Sequence, residues 1–77
     1  MNKQRRKELE EAVSMLEDAY ATIESVLEQE QEAFDNMPEG LQESERGDAM
    51  QENIDSLDSC LSDLEDVKSQ VEEVLYA

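Results

Sequence analysis

A chain of 77 residues carries 22 acidic and 6 basic side chains, no histidine and one cysteine. A chain this short is expected to form one small domain with a marginal core. Its formal charge of −16 argues against direct binding to nucleic acids or to anionic membranes, because cations bind phosphates. The partner class that such a charge attracts is a basic protein surface.

The single cysteine and the absence of long apolar runs predict the compartment. Cys60 has no second cysteine with which to form an internal disulfide, which is typical of a reducing environment. No apolar run approaches the length of a membrane span, and the charged first residues do not resemble a signal peptide. We therefore expect a cytoplasmic protein.

The first predicted element is a helix over about residues 3–34. Its apolar residues recur in alternating steps of three and four, which is the a and d pattern of a coiled-coil heptad. These residues are Leu9, Val13, Leu16, Tyr20, Ile23, Leu27 and Phe34, with Glu30 in the one gap. Asn2 is the expected N-cap. The basic residues in the first turns are Lys3, Arg5, Arg6 and Lys7.

A turn is predicted over residues 35–43, because this stretch holds Pro38 and Gly40, which interrupt helices. We expect Asn36 to cap a short helical turn at Pro38, and Met37 and Leu41 to cover Phe34. A calcium loop counted from Asp35 is disfavoured, since Met37 and Arg46 occupy its third and twelfth positions, where calcium requires oxygen ligands.

A second helix is predicted over about residues 44–76, with Ser44 as its N-cap. The heptad pattern resumes there. Its a and d residues are Met50, Ile54, Leu57, Leu61, Leu64, Val71 and Leu75, with Lys68 in the gap. We therefore predict an all-α fold in which residues 1–77 form a single antiparallel helical hairpin of the coiled-coil type.

The two helices mesh when paired residue numbers sum to 84, because each layer then joins an a position to a d position. In this register Lys68 extends along Leu16, with its ammonium group beside Glu65 and Glu72. Arg5 and Arg6 are expected to approach the end of the second helix. We expect them to meet Glu72, Glu73, the chain carboxylate and the negative end of the helix dipole there.

The two edges of this hairpin have different chemistry. The e positions form an acidic edge, made up of Glu10, Glu17, Glu24, Gln31, Gln51, Asp58, Glu65 and Glu72. The g positions form an apolar edge apart from Asn53 on the second helix. The residues of this apolar edge are Ala12, Ala19, Val26, Ala33, Cys60, Val67 and Val74. Because a second copy would remove the apolar edge from water, we predict a homodimer in the form of a four-helix bundle.

Nothing in the sequence indicates catalysis. Histidine is absent, and no nucleotide-binding glycine motif or nucleophile elbow is present. We therefore expect neither an enzyme nor a bound metal or cofactor. The expected function is protein–protein interaction. The candidate partner contacts are Met37, Leu41 and Arg46 in the turn region and Glu10, Glu17 and Glu24 on the acidic edge.

Two other functions remain open. The first is a purely structural dimerisation module, which binds only itself. The second is mimicry of a nucleic acid, since rows of carboxylates on rigid helices imitate phosphates and occupy the basic groove of a DNA- or RNA-binding enzyme.

The turn is similar to that of small uncharacterised acidic helical proteins of bacteriophages and bacterial mobile elements. The residues that carry the resemblance are Phe34-Asp35-Asn36-Met37-Pro38-Glu39, Leu41-Gln42, Ser44-Glu45-Arg46-Gly47 and Met50. The resemblance implies a phage or prophage setting, and hence an accessory or inhibitor protein that binds a host protein. It implies no catalytic residue.

Overall fold

The computed structural model describes all 77 residues and contains three helices and no strand. Helix α1 spans Lys3–Asp35, the short helix α2 spans Glu39–Gln42, and helix α3 spans Glu45–Leu75. Helices α1 and α3 pack side by side along their length, so the Cα atoms extend over 58 × 15 × 13 Å. The predicted all-α hairpin is confirmed.

The predicted N-caps are confirmed at both long helices. The Asn2 side chain accepts a hydrogen bond from the backbone N–H of Arg5 at 2.8 Å. The Ser44 hydroxyl accepts one from the N–H of Gly47 at 3.4 Å, and it also donates to the carbonyl oxygen of Leu41. Each cap satisfies a backbone donor that has no partner within the helix, which explains where α1 and α3 begin.

The prediction for Asn36 is wrong. Asn36 is the C-cap of α1, where its N–H donates to the carbonyl oxygen of Glu32 at 3.0 Å. Helix α2 begins after Pro38, which makes no side-chain capping hydrogen bond. Proline disfavours a helical conformation in the residue before it, so α1 ends ahead of Met37. Proline also suits a helix start, because it has no N–H to leave unsatisfied.

The interface between α1 and α3 follows the heptad pattern. Every a and d residue is buried or half-buried, including the two polar ones, Glu30 and Lys68. Only Ile54, Leu61 and Leu75 among the apolar residues are fully buried. Two helices alone can cover one stripe of each helix only in part, so the core of this hairpin stays in contact with water along most of its length.

Two contacts across the helices agree with the predicted register and correct its details. Lys68 Nζ lies 3.3 Å from Oε1 of Glu17 on α1, a partner that the sequence did not predict, and it forms no ion pair with Glu65 or Glu72 on its own helix. Arg6 Nη1 donates to the carbonyl oxygen of Leu75 at 2.5 Å. This contact places Arg6 at the negatively polarised end of α3, as expected. The expected ion pairs of Arg5 and Arg6 with Glu72 and Glu73 do not form, since the one salt bridge joins Lys68 and Glu17.

The turn is closed by Gln42, which the sequence analysis did not single out. Its side-chain amide donates to the carbonyl oxygens of Phe34 at 3.0 Å and Met37 at 3.2 Å. These bonds tie α2 to the last turn of α1 at Phe34, where carbonyl groups lack helical partners, and to the link between α1 and α2 at Met37. Leu41 remains 49% exposed, whereas a leucine packed down over Phe34 would be largely buried, so the expectation that it covers Phe34 is wrong.

The two glycines have different surroundings. Neither has a positive φ, so backbone conformation does not require glycine at either position. Gly47 is buried where the start of α3 meets α2, and a Cβ there would overlap the Gln42 carbonyl group and lie 2.7 Å from the Leu41 oxygen. Gly40 has no atom within 4 Å of such a Cβ. Only Gly47 is therefore required by close packing.

Neither long helix contains an apolar stretch of the length and purity that crossing a bilayer requires.

Candidate functional site

The apolar edge contains three of the large apolar side chains that the hairpin leaves exposed. Val26 and Val67 are each 45% exposed and Val74 is 53% exposed. Ala19, Ala33 and Cys60 are also exposed, and Ala12 is half-buried. All seven predicted interface residues therefore lie on a surface that a partner can reach, and none of them carries a charge.

A groove runs along the apolar edge near the terminal end of the hairpin. It is an open depression of about 260 Å³, lined by Leu9, Val67, Gln70, Val71 and Val74. Leu9 and Val71 are heptad core residues, yet here they form the floor of a surface depression. The sequence did not predict that Leu9 and Val71 line this groove, because the heptad pattern assigns them only to the interface between α1 and α3.

The acidic edge lies on the opposite side of the helix pair. Glu10, Glu17 and Glu24 are all exposed, and only Glu17 has a cation within 4 Å, namely Lys68. The row therefore presents carboxylates to solvent. This placement suits binding to a basic surface, and it equally suits a solvated face.

A shallow cavity of about 250 Å³ interrupts the acidic edge. Its walls are Leu16, Glu17, Tyr20, Leu64, Glu65 and Lys68. Tyr20 is half-buried here. The pKa of its hydroxyl is raised above the ordinary value, first by burial and then by the negative charges of Glu65 and Glu24. A neutral phenol with carboxylates around it offers a hydrogen-bond donor.

The turn residues do not form one contact surface. Leu41 and Arg46 are exposed, whereas Met37 is half-buried. Arg46 has no carboxylate within 4 Å, since the Lys68–Glu17 pair is the one salt bridge in the structure. The turn thus presents an exposed leucine and an unpaired arginine. No group of three or more carboxylate or thiol side chains is arranged to hold a metal ion.

No protein-family model matches this chain, and no curated protein or solved structure is significantly similar to it.

Proposed function

We propose that this chain is a non-enzymatic protein-interaction module that forms a two-fold homodimer through its apolar edge. In that dimer two hairpins pack as a four-helix bundle. The observation that supports the proposal is the exposure of Val26, Val67 and Val74 along an uncharged edge of a chain with a charge of −16. Large contiguous apolar surfaces on otherwise charged proteins mark interaction sites.

Burial of the same edge explains how so thin a hairpin is stabilised. Three fully buried apolar residues make a small core for 77 residues, and domains of this size depend on partners or crosslinks when their own core is small. Removing a half-exposed valine from water contributes about 1 kcal/mol. A two-fold interface uses each valine twice, so the edge stabilises both copies together.

The test compares two substitutions, one on each edge. Val26→Asp places a charge on the apolar edge, and we expect it to convert the dimer to monomer in sedimentation equilibrium. Glu24→Lys, two residues away on the acidic edge, changes the charge by more but lies outside the proposed interface, so the dimer should persist. A dimer that survives Val26→Asp, or a wild-type chain that is monomeric at micromolar concentration, would contradict the proposal.

A second function is favoured by the acidic edge. The exposed row of Glu10, Glu17 and Glu24 is rigidly spaced by seven residues on one helix, which suits binding to a basic surface of a host protein. In the phage or prophage setting expected from the sequence of the turn, this would be an inhibitor or accessory role. Mimicry of nucleic acid is the special case in which that surface is a nucleic-acid-binding groove.

Salt and competition distinguish these functions. Binding through the acidic edge should weaken steeply as salt is added, and only a nucleic-acid mimic should compete with DNA for its target. A purely structural dimerisation module should retain only itself in affinity capture. Glu10→Lys, Glu17→Lys and Glu24→Lys combined should abolish host-protein binding while leaving the dimer intact.

A further inference from the structure

We propose that the two hairpins of the dimer lie antiparallel, so that the turn of each copy is beside the chain termini of the other. This inference rests on the proposed homodimer and specifies its partner surface. A two-fold dimer through the apolar edge has two arrangements. If the axis runs along the helices, the two turns lie together. If the axis crosses the helices, each turn lies beside the termini of the second copy.

The charge distribution separates these arrangements. Residues 30–52, around the turn, contain eight carboxylates and one arginine, which gives a side-chain charge of −7. Residues 1–11 and 67–77, which together form the terminal end, contain five basic and five acidic side chains, a side-chain charge of 0. The parallel arrangement therefore sets two strongly acidic ends side by side. The antiparallel arrangement sets each acidic end beside an end that is nearly neutral.

Pairing within the chain does not offset these charges. None of the basic residues near the start lies within 4 Å of a carboxylate, since the one salt bridge joins Lys68 and Glu17. Arg6 binds the carbonyl oxygen of Leu75, which leaves Lys3, Arg5 and Lys7 for contacts with a second copy. At the turn, Arg46 likewise has no ion pair. Both ends thus retain charged side chains that are free to pair with a second hairpin.

Helix α1 shows the same asymmetry along its own length. Its first turn has no acidic residue and its last turn has no basic residue, which is the reverse of what the helix dipole favours. In the antiparallel arrangement α1 packs against α1 of the second copy, running in the opposite direction. The basic first turn then lies beside the last turn of the other α1, where Glu32 and Asp35 occur.

The apolar edge leads directly into these charged ends. Arg5 is seven residues before Ala12, so it continues the line of the edge on α1. The Cα atoms of the hairpin extend over 58 × 15 Å, so one whole long side has an area comparable to the roughly 800 Å² that each partner buries in a standard interface. A second copy packed along this side meets the apolar edge in either arrangement, so the charges at the ends decide between them.

The test measures the distance between two turns in the dimer. A nitroxide label is placed at Leu41→Cys in a Cys60→Ser background, and distances between copies are measured by double electron–electron resonance. Leu41 is exposed, and the substitution leaves the charge of the turn unchanged. The antiparallel arrangement predicts a distance close to the 58 Å length of the hairpin. The parallel arrangement predicts roughly 20–25 Å, about two helix diameters.

A label near the middle of the hairpin serves as the control. Ala21→Cys, exposed on the outer face of α1, should give a short distance in both arrangements and so reports only that a dimer exists. If the labels at position 21 and the labels at position 41 were both a short distance apart between copies, the antiparallel arrangement would be overturned, although the dimer itself would be supported. A sample with no distance at either position, and monomeric in sedimentation, would overturn the dimer itself.

Discussion

At the scale of single residues, Tyr20 shows how the hairpin changes the chemistry of a side chain. It occupies a heptad core position and is half-buried between the helices. Burial is the largest cause that raises the pKa of its hydroxyl, followed by the carboxylates of Glu65 and Glu24, with Asp58 adding to them. Burial and neighbouring negative charge both disfavour the phenolate, so the folded chain holds this phenol in its neutral form.

We predict that the hairpin loses stability in alkaline solution as Tyr20 ionises. The phenol of the unfolded chain ionises near pH 10, whereas that of the folded chain ionises at higher pH. Below about pH 10 both states are neutral and the free energy of unfolding is unaffected. Above it the unfolded state releases its proton first, so the free energy of unfolding falls until pH passes the folded pKa.

Phenolate absorbance measures this directly in the variant Tyr76→Phe, which leaves Tyr20 as the only tyrosine. The titration midpoint in buffer should lie above the midpoint in concentrated urea. In the converse variant, Tyr20→Phe, the remaining Tyr76 is 74% exposed, and the alkaline loss of stability due to Tyr20 should disappear. Equal midpoints for Tyr20 in buffer and urea would refute the assignment.

At the scale of secondary structure, the contact between α2 and α3 depends on Gly47, which has no side chain. A Cβ at position 47 would collide with the backbone of Leu41 and Gln42, which cannot move without breaking the Gln42 hydrogen bonds to α1. We predict that Gly47→Ala destabilises the hairpin by about 1–3 kcal/mol, the usual cost of overpacking. Urea unfolding followed by circular dichroism measures the change.

Gly40→Ala is the matched control for that prediction. The same methyl group meets no atom within 4 Å at position 40, and alanine is the better helix former. This variant should therefore be more stable than wild type by about 0.5–1 kcal/mol. If both glycine variants were stabilised alike, the close approach at Gly47 would not be a constraint.

The elements differ in how far they could be predicted from sequence. The a and d pattern predicted α1, α3 and their shared face, because spacing along a helix decides which side chains lie together. Helix α2 is four residues long, too short for any period, so Asn36 was assigned to the wrong helix end. Gln42 and Gly47 act through contacts with backbone atoms of other segments, which no local pattern contains.

The two edges of the hairpin could likewise be predicted from the sequence only in part. Heptad positions placed the apolar edge and the acidic edge on opposite sides, and the exposure of Val26 and Glu24 follows from that assignment. The ion partner of Lys68 was not predicted, because its flexible side chain reaches several carboxylates and only the packed helices bring Glu17 within 4 Å. What covers the apolar edge stays a prediction.

At the scale of the whole molecule, charge repulsion opposes the compact state. The chain has 22 acidic side chains on a rod 15 × 13 Å across, with one salt bridge to offset them. Carboxylates on neighbouring turns lie within the screening length of about 10 Å that applies at 0.1 M salt. The unfolded chain separates these charges, so repulsion favours unfolding.

We therefore predict that sodium chloride stabilises the protein. Raising it from about 0.1 M to about 1 M shortens the screening length to about 3 Å, and Tm should rise by several degrees when followed by circular dichroism at one protein concentration. A variant with Glu39→Gln and Glu43→Gln starts with less repulsion and should gain less. A Tm that falls as salt is added would show that attractive ion pairs outweigh the repulsion.

The thin core has one further consequence if the second copy covers the apolar edge. With three buried apolar residues, the isolated hairpin has a free energy of unfolding close to zero. Association then adds to that free energy by mass action. The folded fraction rises with the amount of chain synthesised, so dilution alone returns copies to a form that proteases cleave. The lifetime of the protein would thus follow its own abundance, without a separate degradation signal.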